Sequence, residues 1–185
     1  TGAVAVNSVG SLLTSSNAGN TILIATSPIT FAANATQASI TATADDDGGA
    51  NVDNITVNAG VTVTANNGDV TFRAGDRIIV NNTATVRATG GSGNVIFDSG
   101  YADTDNDGSM TLNGSISAAA NVTLDLNAES GSASQAATGT IAAAGLQLLS
   151  SSNGGWFGLD ASTTNNVATI AGNADGGIEY FNATA

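Results

Sequence analysis

A short phrase recurs three times in this 185-residue chain, and its length limits the folds that the chain can adopt. The copies occupy residues 53–72, 76–97 and 110–124, and each reads as three short strands separated by turns. A unit of this size cannot bury its own apolar face, so neighbouring copies must stack and share one core. The repeat therefore predicts an elongated, solenoid-like body.

Apolar and polar residues alternate within each copy. Thr62, for example, lies between Val61 and Val63. A period of two is typical of a strand with one buried face, and the abundance of Val, Ile and Thr between Gly, Asn and Asp turns favours strands. The sequence predicts an all-β fold, in which only residues 142–149 are ambiguous between strand and helix.

The spacing of equivalent strands distinguishes stacked coils from hairpins. Val70, Val95, Val122 and Leu146 begin matching phrases, at intervals of 25, 27 and 24 residues. These intervals are too long for tight hairpins, and no crossover helix fills them. The spacing therefore predicts a parallel β-helix (β-solenoid) of about seven coils, each adding about 4.8 Å. An antiparallel β-sandwich is the alternative.

Equivalent positions in the copies define most of the register. Asn58, Asn81 and Asn113 each follow the first strand of a copy, where stacked amides can form a hydrogen-bonded ladder and Asn suits the turn. Residues 54–57 match the first strand of a copy in this alignment but also match the third, so their register stays open.

We expect residues 1–185 to form a single elongated segment of a larger exported protein. Within it, we expect an irregular leading part at 1–19, regular coils at 20–149 and divergent terminal coils at 150–185. Nothing in the sequence resembles a signal peptide or a membrane-spanning run, so targeting signals are expected outside this segment.

The charge of the chain excludes several classes of partner. Fifteen acidic residues stand against three basic ones, all Arg, so the formal charge is −12 at pH 7. Such a surface repels nucleic acid and anionic membranes, and we expect neither as a partner. The hydrophobic fraction of 42% is enough for a packed core, and the absence of Cys excludes disulfides.

A family resemblance follows from the repeats. The three copies, together with 139–149 and 165–172 leading to 177–182, resemble the repeat regions of large bacterial filamentous-haemagglutinin-like surface adhesins of the two-partner or autotransporter kind. The likeness covers about residues 20–185, and its motifs are structural, so no functional residue transfers. The resemblance implies a right-handed parallel β-helix shaft at the cell surface or outside the cell, with adhesion to host or cell-surface carbohydrate or protein.

An acidic insertion carries the clearest candidate site. Asp103, Asp105 and Asp107 reproduce the start of an oxygen-rich calcium loop, in which alternate carboxylates converge on the ion. The twelfth position counted from Asp103 is Gly114, so the closing Glu of an EF-hand is absent. Asp98 could supply a further ligand. We therefore predict calcium ligands at Asp98, Asp103, Asp105 and Asp107, and a solvated acidic loop is the alternative.

A second acidic segment precedes the first regular copy. Residues 45–49 read Asp-Asp-Asp-Gly-Gly, and Asp53 follows shortly after them. Consecutive Asp side chains point in different directions, so this segment is the weaker candidate for calcium.

Catalysis is not expected from this composition. The chain has no His to activate a Ser nucleophile, and only Arg73, Arg77 and Arg87 could assist a polysaccharide lyase. One Trp and two Tyr offer few platforms for sugar rings. We predict that the chain is not an enzyme and requires no cofactor, with calcium the only candidate ion.

Three structural functions remain open at this point. The first is a passive shaft, and the second is a self-assembling fibre or sheath subunit whose end coils contact neighbouring coils of the same or identical chains. The third and least favoured is ice or surface binding by threonines that recur 21 residues apart, because the repeat alignment places Arg87 among them.

Overall fold

The computed structural model describes residues 4–6, 19–26, 28–128, 131–150 and 154–183, with only the backbone described at 4–6. These residues form strands and no helix. In chain order the strands are β1 Val4–Val6, β2 Asn20–Ala25, β3 Ile29–Phe31, β4 Ala35–Gln37, β5 Ser39–Ala44, β6 Ile55–Val57, β7 Thr62–Ala65, β8 Val70–Ala74, β9 Arg77–Val80, β10 Thr85–Ala88, β11 Val95–Ser99, β12 Ser109–Leu112, β13 Ser115–Ala118, β14 Asn121–Leu126, β15 Ser132–Gln135, β16 Thr140–Ser150, β17 Trp156–Leu159, β18 Asn166–Asn173 and β19 Gly177–Tyr180.

Three strands make one turn of a β-solenoid, and equivalent strands of successive turns pair in parallel. The first strands form a sheet in the order β1-β3-β6-β9-β12-β15-β17-β19. The second and third strands form two faces, β4-β7-β10-β13 and β2-β5-β8-β11-β14, which the long strand β16 joins into one sheet, and β18 pairs with β16. The predicted all-β parallel solenoid is confirmed, with about six turns rather than about seven.

The register predicted from the spacing is also confirmed. Val95 pairs with Val70 on one side and with Val122 on the other, and Val122 pairs with Leu146. Because each of these strands hydrogen-bonds to the turn before and the turn after, a turn has no free sheet edge inside the stack.

Two ambiguities of the sequence are resolved by the same pairing. Ile55 pairs with Ile78, so residues 54–57 belong to the first strand of their turn. Residues 142–149 lie within β16 and are extended rather than helical. Most of the leading segment predicted at 1–19 lies outside the described residues.

The core consists of columns of inward-facing side chains that run along the stack. In the most aromatic column, Phe72 stacks on Phe97 with ring centroids 5.3 Å apart and planes 4° apart. The next position of that column is Ala42, which is small, and Phe31 from the first face stacks on Phe72 at 5.3 Å. All four side chains are fully buried, so the solenoid is filled rather than hollow.

The asparagines that follow the first strands stack as predicted but do not form a side-chain ladder. The backbone N–H groups of Asn58, Asn81 and Asn113 donate to carbonyls of the preceding turn at 2.9–3.1 Å. The structure shows no hydrogen bond among their side chains. Backbone pairing therefore continues through this corner without help from the amides.

A side-chain ladder occurs instead before the third strand. The backbone N and Nδ2 of Asn94 donate to Asp69 Oδ1 at 2.7 and 3.0 Å, and the backbone N of Asn121 donates to Asn94 Oδ1 at 3.1 Å. A side chain at Gly145 in the following turn would place its Cβ 2.3 Å from Asn121 Oδ1. The glycine thus leaves room for the last amide of the ladder.

A buried amide pair interrupts the apolar columns near the last turn. Gln135 Nε2 donates to Asn165 Oδ1 at 2.8 Å, and Asn165 Nδ2 donates to Gln135 Oε1 at 2.9 Å. The backbone N of Ile141 also donates to Asn165 Oδ1, and the carbonyls of Leu159 and Phe181 lie 3.2 Å from Asn165 Nδ2. These contacts satisfy the buried amide, as burial of a polar group requires.

Adjacent isoleucines in β9 test the assignment of faces. Ile78 is fully buried in the core, whereas Ile79 points outward. Ile78→Ala should lower the free energy of unfolding by about 2–5 kcal/mol, because it removes buried carbon and leaves a cavity. Ile79→Ala should lower it by about 1 kcal/mol or less. Urea denaturation of the two variants measures the difference, and equal losses would contradict the assigned faces.

Candidate metal centre

Three successive turns share the corner between the third and the first face, and this corner carries the acidic segments. Residues 45–54 connect β5 to β6, and residues 100–108 connect β11 to β12. Between them, β8 and β9 are joined by only Gly75 and Asp76. Because the middle connection is short, the long connections above and below it can meet across it.

Close approach of the backbones depends on Gly75. A Cβ at this position would lie 2.7 Å from the Cα of Asp46, closer than atoms pack. Only glycine therefore lets residues 45–54 fold down onto the middle turn.

Hydrogen bonds join the two long connections directly. The backbone N and the hydroxyl of Thr104 donate to Asp46 Oδ2 at 2.7 and 2.5 Å. In the opposite direction, the backbone N of Asn51 donates to Asp107 Oδ2 at 2.6 Å. The two acidic segments that the sequence separates thus form one site.

Six carboxylates meet at this corner, and we call them the acidic corner. They fall into three groups of three, and within each group one carboxylate oxygen per residue lies within 4.8 Å of the others. Each pair of groups shares one residue, so the six form one connected cluster. The groups are Asp46, Asp103 and Asp105; Asp46, Asp53 and Asp76; and Asp76, Asp105 and Asp107.

The two deepest carboxylates are fully buried. Asp53 and Asp76 each have 0% exposure. One oxygen of each accepts a backbone hydrogen bond, since Asp47 N donates to Asp53 Oδ2 at 2.9 Å and Asp53 N donates to Asp76 Oδ2 at 2.7 Å. The second oxygen of each, Oδ1, is buried and has no hydrogen-bond partner.

The loop at 100–108 also contributes buried carboxylate oxygens that have no hydrogen-bond partner. Residues 103, 105 and 107 face inward, whereas residues 102, 104 and 106 are exposed. The cluster's remaining buried oxygens without a hydrogen-bond partner are Asp103 Oδ2, both oxygens of Asp105 and Asp107 Oδ1. The loop thus directs its carboxylates inward, where Asp105 shares one group with Asp103 and another with Asp107.

Burial and mutual repulsion disfavour the charged forms at this corner. Burial raises the pKa of Asp76 to about 7, and the nearby carboxylates of Asp107 and Asp105 add to the shift. Burial, together with the same kind of repulsion, raises the pKa of Asp105 to about 6 and also raises the pKa of Asp53. In contrast, the Thr104 hydroxyl lowers the pKa of Asp46.

The structure places the predicted residues in two locations. Asp103, Asp105 and Asp107 join the acidic corner, whereas Asp98 lies in β11, outside the three groups. Asp98 pairs in register with Arg73 and Asp125. Asn127 Nδ2 donates to Asp98 Oδ1, and burial raises the pKa of Asp98.

Sequence reasoning did not identify Asp76 as a member of the site. A signal for it existed, because Asp53 and Asp76 open successive copies of the repeat at equivalent positions. Stacking the copies would have placed the two carboxylates one above the other.

The threonine face does not form an unbroken array. Arg87 lies in register between Thr64 and Ser117, and Arg87 Nε donates to Thr64 Oγ1 at 3.0 Å. A long charged side chain in this position disfavours the flat surface that ice binding requires.

Fold and site together define an acidic β-solenoid with a cluster of carboxylates at one corner. Comparisons with protein-family models, with curated proteins and with solved structures found no match to this chain. Of the resemblance to filamentous-haemagglutinin-like repeats, the structure supports the β-helical repeat fold, and no comparison supports the family itself. In the part of the chain that the structure describes, no helix has the length and apolarity to cross a membrane.

The pKa shifts predict how the metal-free chain responds to pH. Asp76 and Asp105, whose pKa values are raised by burial and by repulsion from Asp107, bind protons more tightly in the folded than in the unfolded state. Their stabilising effect is present at low pH and is lost as pH rises through about 6 to 7. The melting midpoint of the chain in chelator-treated buffer should therefore be higher at about pH 5 than at about pH 8.

The matching variant is Asp76→Asn, which removes the group with the largest shift and should flatten this pH dependence. Asp53, whose pKa burial also raises, contributes to the slope that remains, whereas Asp46, whose pKa the Thr104 hydroxyl lowers, acts in the opposite direction. A midpoint that rises from about pH 5 to about pH 8 would contradict the electrostatic description.

Proposed function

We propose that the chain is a structural repeat segment, a shaft, of a large exported bacterial surface protein that acts in adhesion or in cell-surface structure. The observation that supports this best is the unbroken parallel register, which runs from Ile22 through Thr41 and onward to Ala171 without a change of direction. Each turn adds about 4.8 Å along one axis, so repeats of this kind supply length.

The surface chemistry fits a spacer outside the cell. A formal charge of −12 keeps copies of the rod apart and soluble. Export and adhesion are carried over from the family that the repeats resemble, and the proposal assigns no catalytic role to the chain.

Surface exposure can be tested with antibodies raised against the purified chain. They should label intact cells of the source organism as strongly as permeabilised cells, because a shaft lies outside the cell envelope. An antibody against a cytoplasmic protein is the control and should label permeabilised cells only. Labelling that requires permeabilisation would refute the proposed location.

A second candidate function is a subunit of an extracellular fibre or sheath, and the last described turn favours it. Ile170 and Ile178 continue core columns through Leu146 and Phe157, and yet they are 48% and 37% exposed. Apolar side chains and strand edges of this kind can pair end to end with another copy.

Sedimentation and electron microscopy of the purified chain distinguish the two candidates. The shaft predicts single chains at every concentration, whereas the fibre predicts filaments that grow with concentration. In the fibre case Ile170→Glu should abolish filaments, since it places a charge on the end surface. Ile79→Glu should not, because Ile79 points outward from β9, which pairs with β6 on one side and β12 on the other and so lies away from both ends.

A further inference from the structure

We propose that the acidic corner binds calcium and that the ion fastens three successive turns of the solenoid together. This inference does not depend on the proposed shaft function, because it rests only on the carboxylates and their surroundings. It also differs from the sites predicted from the sequence, since it excludes Asp98, joins the loop at 100–108 to Asp46 and Asp53 of the second candidate, and adds Asp76.

The donor atoms select the class of ion. The candidate ligand atoms of the three groups are all carboxylate oxygens, and the chain contains neither His nor Cys. Oxygen-only sites suit hard cations, whereas zinc and copper prefer nitrogen and sulfur. Calcium accepts 6–8 oxygens in flexible geometry, whereas magnesium demands a near-ideal octahedron and retains waters. An irregular cluster of many carboxylates therefore favours calcium.

The carboxylates are held in place before any ion binds. In Asp53, Asp76 and Asp107 one oxygen accepts a backbone N–H, and this contact fixes the side chain. The other oxygen of each is buried and has no hydrogen-bond partner. One oxygen of each residue is therefore left for a cation. Because the side chains are already fixed, binding costs less conformational entropy.

The buried oxygens of Asp53 and Asp76 are the independent observation that points to a ligand. Both side chains have 0% exposure, so bulk water does not solvate the Oδ1 atoms. A buried carboxylate oxygen without a donor is costly. Among the described residues, no ion pair joins the corner to an arginine. A bound cation would neutralise these charges.

Protonation is the alternative way to neutralise the corner. A proton relieves one carboxylate at a time. A divalent cation relieves several at once. Each of the three groups contains carboxylates from two different turns, and together the groups cover residues 45–54, Asp76 and residues 100–108, so an ion bound there joins turns. Calcium therefore stabilises the stacking itself.

Calorimetric titration of the calcium-free chain with calcium chloride tests the proposal at neutral pH. We expect saturable binding and a higher melting midpoint in calcium, because an ion that binds only the folded form stabilises it by mass action. Magnesium chloride at the same concentration should raise the midpoint less. An absence of binding and an unchanged midpoint at millimolar calcium would overturn the proposal.

Paired variants test which residues hold the ion. Asp105→Asn should weaken calcium binding about tenfold or more, since Asp105 belongs to two of the three groups and both its oxygens are directed inward. Asp98→Asn is the matched control, because it makes the same substitution in the neighbouring strand β11 and should leave the calcium affinity unchanged.

Circular dichroism of the calcium-free variants checks that each one folds. If Asp105→Asn fails to fold, Asp107→Asn in the same surface loop provides the same test. Equal losses of affinity in Asp98→Asn and in the loop variants would refute the assigned ligands. Unchanged calcium affinity in both Asp105→Asn and Asp107→Asn would also refute the assigned ligands.

Discussion

Parallel backbone pairing between equivalent strands of successive turns is the constraint on which the rest of the structure depends. Each turn is too short to bury its own apolar face, so the neighbouring turns must supply the layer that excludes water. The same pairing aligns side chains into columns, which is why Phe72 stacks on Phe97 and why the backbone N–H of Asn94 reaches Asp69 in the preceding turn. Packing, ladders and corners all follow from one register.

The corners are where this constraint is relaxed, and they carry the chemistry. Insertions there do not disturb the sheets, so residues 45–54 and 100–108 can extend from the stack and meet over the two-residue connection at Gly75. The pattern of alternate carboxylates in the second loop was visible in the sequence because it is local. The approach of Asp46 was not, because it depends on how two loops from different turns fold onto each other.

Much of the fold was readable because stacking makes register a property of the repeat. Val70, Val95, Val122 and Leu146 could be aligned by phrase alone, and their pairing follows that alignment. The exceptions are positions where side chains override the repeat. Gln135 and Asn165 replace apolar residues in the core and satisfy each other, which no periodic pattern indicates. Likewise, Asn58, Asn81 and Asn113 stack without hydrogen bonds between their side chains, because backbone hydrogen bonds already connect the turns at this corner.

Distances between spin-labelled cysteine pairs test the in-register stacking most directly, and the chain contains no native Cys to interfere. Ile22, Thr41, Gln147 and Ala171 lie in one outward column of the third face. At about 4.8 Å per turn, double electron–electron resonance should give about 19, 24 and 29 Å for the pairs 41–147, 22–147 and 22–171. Distances that do not increase with the number of intervening turns, as in an antiparallel sandwich, would contradict the account.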